Sequence, residues 1–199
     1  MQENHLELIR RALSDGVTLR QQLLDSSAQT QAVARAAQLV IDCLRSGGKF
    51  LLCGNGGSAA DCQHIAAELT GRFSKQPRRG LPAIALTTDS SALTAIANDF
   101  SYESVFSRQV EALGAPGDVL LAISTSGRSP NVLAAARQAR TQSVRVIALC
   151  GPDAGPLHEL ADVSICVPGQ TTDRIQELHI TVGHIMCELI DRQFVDRAS

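Results

Sequence analysis

The feature that most constrains the fold of this sequence is a series of five short, almost entirely apolar runs separated by helical stretches. The runs are Lys49–Cys53, Pro82–Leu86, Asp118–Ile123, Val144–Leu149 and Val163–Val167. A strand that is apolar on both faces must be covered on both faces, which is typical of a parallel sheet between helices. The sequence therefore predicts an α/β fold, a three-layer α/β/α sandwich of the flavodoxin-like or Rossmann-like kind around a five-stranded parallel sheet.

Helical periodicity fills the intervals between these runs and both ends of the chain. The predicted helices that follow the first strand cover Ala59–Phe73, Ala92–Ile96, Glu103–Leu113, Pro130–Arg140 and Thr172–Phe194. Two further helices precede it, and the second ends at Ser46-Gly47-Gly48, a typical C-terminal signal. Their apolar faces could cover the sheet or pack against another copy of the chain. We predict one domain over 1–199, with oligomer-packing helices in 1–46 and the ligand-binding core in 47–199.

Composition excludes several classes of partner. The net charge is −2 and no basic stripe is present, so we expect no nucleic-acid partner; the pair Arg78-Arg79 is interpreted as exposed loop. The six cysteines form no C-x-x-C pair, which argues against a thiolate zinc site and fits reduced, buried thiols. Residues 1–10 are polar without a signal peptide, and no apolar run approaches the roughly 20 residues of a membrane span. We therefore expect a cytoplasmic protein that does not bind membranes.

Two loops have the composition of phosphate-binding sites. In an open parallel sheet, ligands bind beyond the carboxyl ends of the strands. The loop Gly54–Ser58 (GNGGS) follows the first strand, and Ser124–Ser129 (STSGRS) follows the third. Glycines let backbone N–H groups approach an anion, hydroxyls add donors, and the following helix contributes its dipole. For the second loop, the alternative is a helix cap without a ligand.

The first loop also fits a dinucleotide-binding fingerprint, G-x-G-x-x-A, over Gly54–Ala59. That reading expects an acidic residue roughly 20 residues later, whereas Asp89 lies much further along the chain. It also leaves the hydroxyl loop without a role. A dehydrogenase is therefore the weaker interpretation, and no Walker-type phosphate loop is present.

Polar side chains on two helices could complete a site. His64 and Glu68 are four residues apart on one helix face, and imidazole with carboxylate is a common set of zinc ligands. An isolated surface pair is the alternative. The last helix carries polar residues among apolar ones, which either satisfy each other in the core or line a site. These are Asp173, Gln176, Glu177, His179 and His184.

Four motifs, in this order, resemble the sugar isomerase (SIS) domain family over essentially the whole chain. They are CGNGGSAADCQHIAAEL at 53–69, LTAIANDF at 93–100, LLAISTSGRSPNV at 120–132 and RIQELHITVGH at 174–184. The resemblance implies a SIS fold that binds a sugar phosphate, and it assigns roles to matching residues. The substrate-binding residues are Asn55, Gly56, Gly57, Glu68, Asn98, Asp99, Ser124, Thr125, Ser126, Ser129 and Gln176. The ligands of one Zn²⁺ are His64, Glu68, Gln176 and His184. Glu68 is the implied base and His184 the implied acid.

The resemblance also implies an activity. It is the aldose–ketose isomerisation of sedoheptulose 7-phosphate to D-glycero-D-manno-heptose 7-phosphate through a cis-enediol, the first step of ADP-heptose biosynthesis for lipopolysaccharide. It implies a homotetramer as well. The alternative is a related non-catalytic SIS protein that binds the replication initiator and lacks counterparts of Glu68 and His184. Arg128 and the proline-containing stretch Cys150–Pro156 depart from the family pattern.

The spacing of two implied metal ligands allows two arrangements. Gln176 and His184 are separated by about 12 Å along a helix. Their side chains must therefore lean together, or ligands from two chains must meet.

Overall fold

The computed structural model describes residues 4–195, so residues 1–3 and 196–199 of the predicted domain lie outside the described residues. The strands are β1 (Phe50–Gly54), β2 (Ala83–Ala85), β3 (Val119–Ser124), β4 (Arg145–Cys150) and β5 (Val163–Cys166). The helices are α1 (His5–Asp25), α2 (Ser27–Arg45), α3 (Gly57–Thr70), α4 (Ser90–Asp99), α5 (Ser107–Leu113), α6 (Pro130–Thr141), α7 (Leu157–Leu160) and α8 (Thr172–Phe194), with a 3₁₀ turn at Tyr102–Ser104.

All five strands are parallel and form one sheet in the order β2-β1-β3-β4-β5, which confirms the predicted α/β fold. Phe50 of β1 pairs with Ala83 on one side and with Val119 on the other. The strand order therefore reverses between β1 and β3. At such a switch point the following loops diverge and leave a crevice, so the two candidate phosphate loops border the same opening.

The two faces of the sheet bury separate cores. Along β1, Phe50 and Leu52 face the layer that contains α2, α3 and α8, whereas Leu51 and Cys53 face the layer that contains α5 and α6. Every residue of β1 and β3 is buried. This burial on both faces is the physical reason that the strands read as continuous apolar runs.

The two N-terminal helices have different surroundings. α2 packs into the core next to the sheet through residues such as Val33 and Val40. α1 leaves a row of apolar side chains exposed, which we call the α1 stripe. It consists of Leu6, Ile9, Leu13, Val17 and Leu24, each between 53% and 69% exposed. The two alternatives predicted for these helices therefore each apply to one of them. α2 covers the sheet, whereas the α1 stripe remains available to another molecule.

Side chains fix the starts and the edges of the strands. Asp118, predicted as the first residue of the third strand, precedes β3, is 1% exposed and accepts hydrogen bonds from the Lys49 and Ala115 N–H groups. Its carboxylate also lies 2.6 Å from Lys49 Nζ, and these contacts tie the starts of β1 and β3 together. At the outer edge of β5, the Cys166 N–H donates to Gln29 Oε1 of α2 at 2.8 Å. The opposite edge strand, β2, has only three residues.

Arg78 corrects the interpretation of the Arg78-Arg79 pair as exposed loop. Its side chain is fully buried, and Nε lies 2.5 Å from Asp191 Oδ1 of α8. Its other nitrogens donate to the carbonyl oxygens of Glu68 and Leu69 at 2.8 and 2.9 Å. The guanidinium therefore satisfies carbonyls at the C-terminal end of α3, a role that helix ends require. Burial opposes ionisation of Asp191, but hydrogen bonds from Ser74 and Arg78 hold its pKa below the usual value.

The remaining differences from the predicted elements are small. α7 was not predicted, because its four residues are too few for a periodic pattern. The predicted helix Glu103–Leu113 is divided into the 3₁₀ turn and α5. Five of the six cysteines are buried, as expected, and burial raises the pKa of the Cys53 and Cys150 thiols to about 12. No helix within residues 4–195 is long and apolar enough to cross a membrane.

Candidate active site

A pocket of about 340 Å³ opens at the switch point between β1 and β3. Its lining comes from the end of β3 and the loop that follows it, and from the starts of three helices, α3, α6 and α8. The lining residues are Asn55, Gly56, Gly57, Ser58, Ile123, Ser124, Thr125, Ser129, Thr172 and Gln176. Helix N-termini present unpaired N–H groups and the positive end of the dipole, so three of them favour an anion. No charged side chain within residues 4–195 lines the pocket, so an anion there would be bound by neutral donors.

Glycines of the first loop allow this convergence. Gly56 precedes α3 with φ of +56°, a left-handed conformation that side chains disfavour. A Cβ at Gly57 would lie 2.4 Å from Gln176 Oε1, so only glycine lets the Gln176 side chain pack there. The Gln176 amide therefore lies against the first loop at the start of α8.

The hydroxyl loop is divided between the pocket and the outer surface. Ser124 Oγ and Ser129 Oγ are 3.0 Å apart, and both residues line the pocket together with Thr125. Ser126 is exposed and outside the pocket lining, and its Oγ accepts from the Arg128 N–H at 3.2 Å. Of the four predicted hydroxyl residues, the structure thus brings three together.

The two segments that depart from the family pattern, Arg128 and Cys150–Pro156, contact each other. Arg128 Nη2 lies 2.9 Å from Asp153 Oδ2 in the loop that follows β4, and this hydrogen bond lowers the pKa of Asp153. A Cβ at Gly127 would lie 1.8 Å from the Ala154 carbonyl oxygen. The stretch Cys150–Pro156 therefore packs directly on the hydroxyl loop, and the Arg128 cation is paired with Asp153 at the surface.

A reciprocal amide pair joins the two loops, and its second member, Asn131, was not among the predicted site residues. Asn55 Nδ2 donates to Asn131 Oδ1 at 2.9 Å, and Asn131 Nδ2 donates to Asn55 Oδ1 at 2.9 Å. The Tyr102 hydroxyl donates to the same Asn55 oxygen at 3.2 Å. Asn131 is 2% exposed, in the first turn of α6. Its position within the motif at 120–132 was the one available signal.

A second polar cluster lies further along α3 and α8. The Nε2 atoms of His64 and His184 are 2.8 Å apart, and Glu68 Oε1 lies 3.6 Å from His64 Nε2. A Cβ at Gly183 would lie 2.7 Å from Ile65 Cδ1, so this glycine lets the two helices approach where the histidines meet. The structure therefore brings together three of the four predicted metal ligands, from positions far apart in sequence.

The pocket and this histidine–glutamate cluster lie at two levels of the same helix pair. Gly57 of α3 contacts Gln176 of α8, and seven residues later His64 contacts His184, so the helices run in the same direction. At 1.5 Å per residue, the two levels are about 10 Å apart. Gln176 lies at the level of the pocket, and His184 lies at the level of the cluster. Within one chain, the Gln176 and His184 side chains therefore do not lean towards each other to share one metal ion.

The histidine–glutamate cluster suits a metal ion in its chemistry. Two imidazole nitrogens and a carboxylate oxygen are zinc ligands, and both Nε2 atoms point at the same space. Two ligands of a tetrahedral zinc are about 3.3 Å apart, so His64, whose side chain is 47% exposed, needs only a small rotation. Within the described residues, no three His, Cys, Asp or Glu side chains already have the arrangement of a metal site.

The other candidate residues lie elsewhere. Asn98 and Asp99 are exposed at the end of α4, where Asn98 Nδ2 donates to Asp99 Oδ1 at 2.8 Å, and neither lines the pocket. Asp89 accepts from the Ala92 N–H as the N-cap of α4, which accounts for it without a dinucleotide. His179 is fully buried, and within the described residues neither ring nitrogen makes a well-formed hydrogen bond, although the ring lies close to the Cys150 backbone. Burial raises the pKa of Asp61, one turn before His64, to about 6.

A pocket lined by helix N-termini at a sheet switch point, with an imidazole–carboxylate cluster nearby, is typical of α/β proteins that bind phosphorylated small molecules. The sequence model of the SIS domain matches residues 18–151, and the chain belongs to the SIS domain family.

Relatives and solved structures agree with this assignment. The chain is 55% identical over 166 residues to the phosphoheptose isomerase of Roseiflexus sp. (strain RS-1), covering 82% of this chain and 84% of that protein. The solved structure of a phosphoheptose isomerase from Neisseria gonorrhoeae is 45% identical, with a TM-score of 0.88, and covers 94% of this chain and 100% of the other. One from Francisella tularensis is 36% identical, with a TM-score of 0.91, and covers 96% and 100%.

Proposed function

We propose that this chain is an aldose–ketose isomerase that converts sedoheptulose 7-phosphate to D-glycero-D-manno-heptose 7-phosphate. The supporting observation is the arrangement of the anion pocket and the histidine–glutamate cluster at two levels of one helix pair, about 10 Å apart. In an extended seven-carbon sugar phosphate, the phosphorus and the C1–C2 pair are roughly 9 Å apart, from C–C bonds of about 1.5 Å. A substrate of this length reaches both levels, and the similarity to phosphoheptose isomerases favours the same substrate.

Binding of the phosphate positions the reacting carbons. The backbone N–H groups at three helix starts and the hydroxyls of Ser124 and Ser129 would hold the phosphate oxygens. Because these contacts are the same in the ground state and the transition state, they contribute affinity and orientation rather than chemistry. The reacting end of the sugar then lies beside the histidine–glutamate cluster.

The cluster contains the groups that an enediol pathway requires. Glu68 would take a proton from C1 of the ketose and return it to C2. His184 would donate a proton to O2 and accept the one released from O1. Atoms balance over the cycle, because one proton moves between the carbons and one between the oxygens. His64 lies between these two side chains, because its Nε2 atom is 2.8 Å from His184 Nε2 and 3.6 Å from Glu68 Oε1.

We propose that His64, Glu68 and His184 hold a divalent metal ion, Zn²⁺ from the nature of the donors. When bound, such an ion supplies Lewis-acid stabilisation of the negative charge that develops on the sugar oxygens. Gln176 as a fourth ligand stays a prediction, because its side chain would first have to leave Gly57.

A coupled assay of sedoheptulose 7-phosphate turnover tests the proposal. We expect turnover in the purified protein, loss of turnover after treatment with chelator, and recovery with Zn²⁺. Tight binding of sedoheptulose 7-phosphate without turnover at any metal loading would refute the isomerase assignment. That outcome would favour the alternative, a non-catalytic SIS protein that binds the replication initiator. The presence of both Glu68 and His184 argues for the enzyme.

We also propose a homotetramer in the cytoplasm that supplies heptose for lipopolysaccharide. The α1 stripe supports self-association, because a row of exposed apolar side chains on a long helix is typical of a helix–helix interface. Light scattering should give a mass four times that of the chain, and Leu13→Asp in the α1 stripe should reduce it. A monomer mass for the unmodified protein at micromolar concentration would contradict this proposal.

A further inference from the structure

The amide of Asn55 has almost no hydrogen-bonding capacity left after its contacts with Asn131 and Tyr102. A side-chain amide has one oxygen that accepts two hydrogen bonds and one nitrogen that donates two. Asn55 Oδ1 receives the Asn131 amide and the Tyr102 hydroxyl, and Asn55 Nδ2 gives one hydrogen to Asn131 Oδ1. One N–H of Asn55 remains. Asn55 lines the pocket at the switch point and also a smaller adjoining cavity beside Tyr102 and Asn131, so this N–H is the side-chain group of Asn55 that can donate to a ligand there.

The geometry points to Asn131 as a positioning residue, which holds Asn55 so that its free N–H is presented to the phosphate of the substrate. Asn131 is 2% exposed and lines only the adjoining cavity, and both ends of its amide are engaged by Asn55, so its role in the pocket is exerted through Asn55. Without the pair, the Asn55 amide could rotate and offer its oxygen, which repels an anion. The pair also connects the loop after β1 to the first turn of α6, so the two phosphate loops keep their relative position. This inference rests on the proposed sugar-phosphate binding.

A double-mutant cycle tests this role. Dissociation constants for inorganic phosphate and for sedoheptulose 7-phosphate are measured by calorimetry for Asn55→Ala, Asn131→Leu and the double variant. Loss of a hydrogen bond to a charged group weakens binding about tenfold. We expect each single variant to show this loss, and the double variant to show about tenfold as well, because the two residues act as one unit. A double variant weakened about a hundredfold, or an Asn131→Leu variant with unchanged affinity, would overturn the inference.

Two further variants separate positioning from folding. Tyr102→Phe removes the other donor to Asn55 Oδ1, from a residue that is 62% exposed, so it tests whether the orientation of Asn55 controls binding even if Asn131→Leu does not fold. It should weaken phosphate binding a few-fold in the unmodified protein and have no effect in Asn55→Ala; an equal effect in both would contradict the proposed role. Gln109→Leu is the matched control, since this buried amide donates to the carbonyl oxygens of Leu86 and Val105 outside the pocket. It should lower Tm and leave both dissociation constants unchanged.

The readout also separates this inference from the proposed function. Inorganic phosphate is not turned over, so its dissociation constant does not depend on the proposed activity. If the protein binds sedoheptulose 7-phosphate but does not isomerise it, the proposed activity is wrong, and the cycle still decides the role of Asn131.

Discussion

The buried His179 should make stability depend on pH in a window that its pKa defines. Burial lowers the pKa of this imidazole from 6.5 to about 4, and a contact with the Cys150 backbone offsets only part of that effect. Between pH 6.5 and 4 the unfolded chain therefore binds a proton that the folded chain excludes. Stability is complete above pH 6.5 and falls as the pH drops through this window. The full loss corresponds to about 3 kcal/mol, and about 2 kcal/mol is lost by pH 5.

Replacement of His179 by leucine isolates this contribution from every other titrating group. Leucine has a similar volume and no proton to bind, and it removes two ring nitrogens that make no well-formed hydrogen bond within the described residues. We expect His179→Leu to be at least as stable as the unmodified protein at pH 7.5. Between pH 7.5 and pH 5 it should lose about 2 kcal/mol less.

Equilibrium urea unfolding, followed by circular dichroism at a fixed protein concentration, measures these differences. Met186→Leu is the matched control, a volume-conserving change at a buried position of the same helix that should leave the pH dependence unaltered. If the unmodified protein and His179→Leu lose the same free energy between pH 7.5 and 5, the imidazole is not excluded from protonation in the folded state. The reasoning from burial would then be wrong.

Three further predictions concern the site and its support. Glu68→Gln and His184→Gln should each lower kcat at least about a hundredfold without loss of folding, and the double variant should be no worse, as steady-state kinetics will show. Ser129→Ala should raise KM about tenfold, and this increase should exceed that of Ser126→Ala, because of these two residues only Ser129 lines the pocket. Equal increases in KM would place the phosphate outside the pocket. Arg78→Met should destabilise the protein by about 3–5 kcal/mol in urea unfolding, since it leaves a buried aspartate unpaired, and a smaller loss would mean that water reaches this carboxylate.

The fold was largely predictable, because its determinants are local in sequence. Five apolar runs became five strands, and the last helix has the predicted bounds, Thr172–Phe194. The elements that were missed are those with weak local signals, such as the four-residue α7. The burial of Arg78 could not be inferred, because its partner Asp191 is 113 positions away and the pattern around Arg78 is that of a loop.

The residues of the candidate site were easier to predict than their arrangement in space. Phosphate loops are recognisable from their glycines and hydroxyls, and the strand order then places them together. The separation of Gln176 from His184 depends on which side chain fills the space over Gly57, a packing detail that spacing along a helix does not contain. The pairing of Asn55 with Asn131 depends on β1 and β3 being neighbours, which no local pattern specifies.

The structure of the two sheet edges affects how copies of this chain can associate. An exposed edge strand offers free N–H and C=O groups to a strand from another molecule, which leads to sheet extension and aggregation. Here one edge is a strand of three residues, and on the other Gln29 already occupies the Cys166 N–H. Strand addition therefore gains little at either edge. The exposed helix surfaces, such as the α1 stripe, are then the surfaces better suited to an ordered contact between copies, because side-chain shape there selects a defined partner.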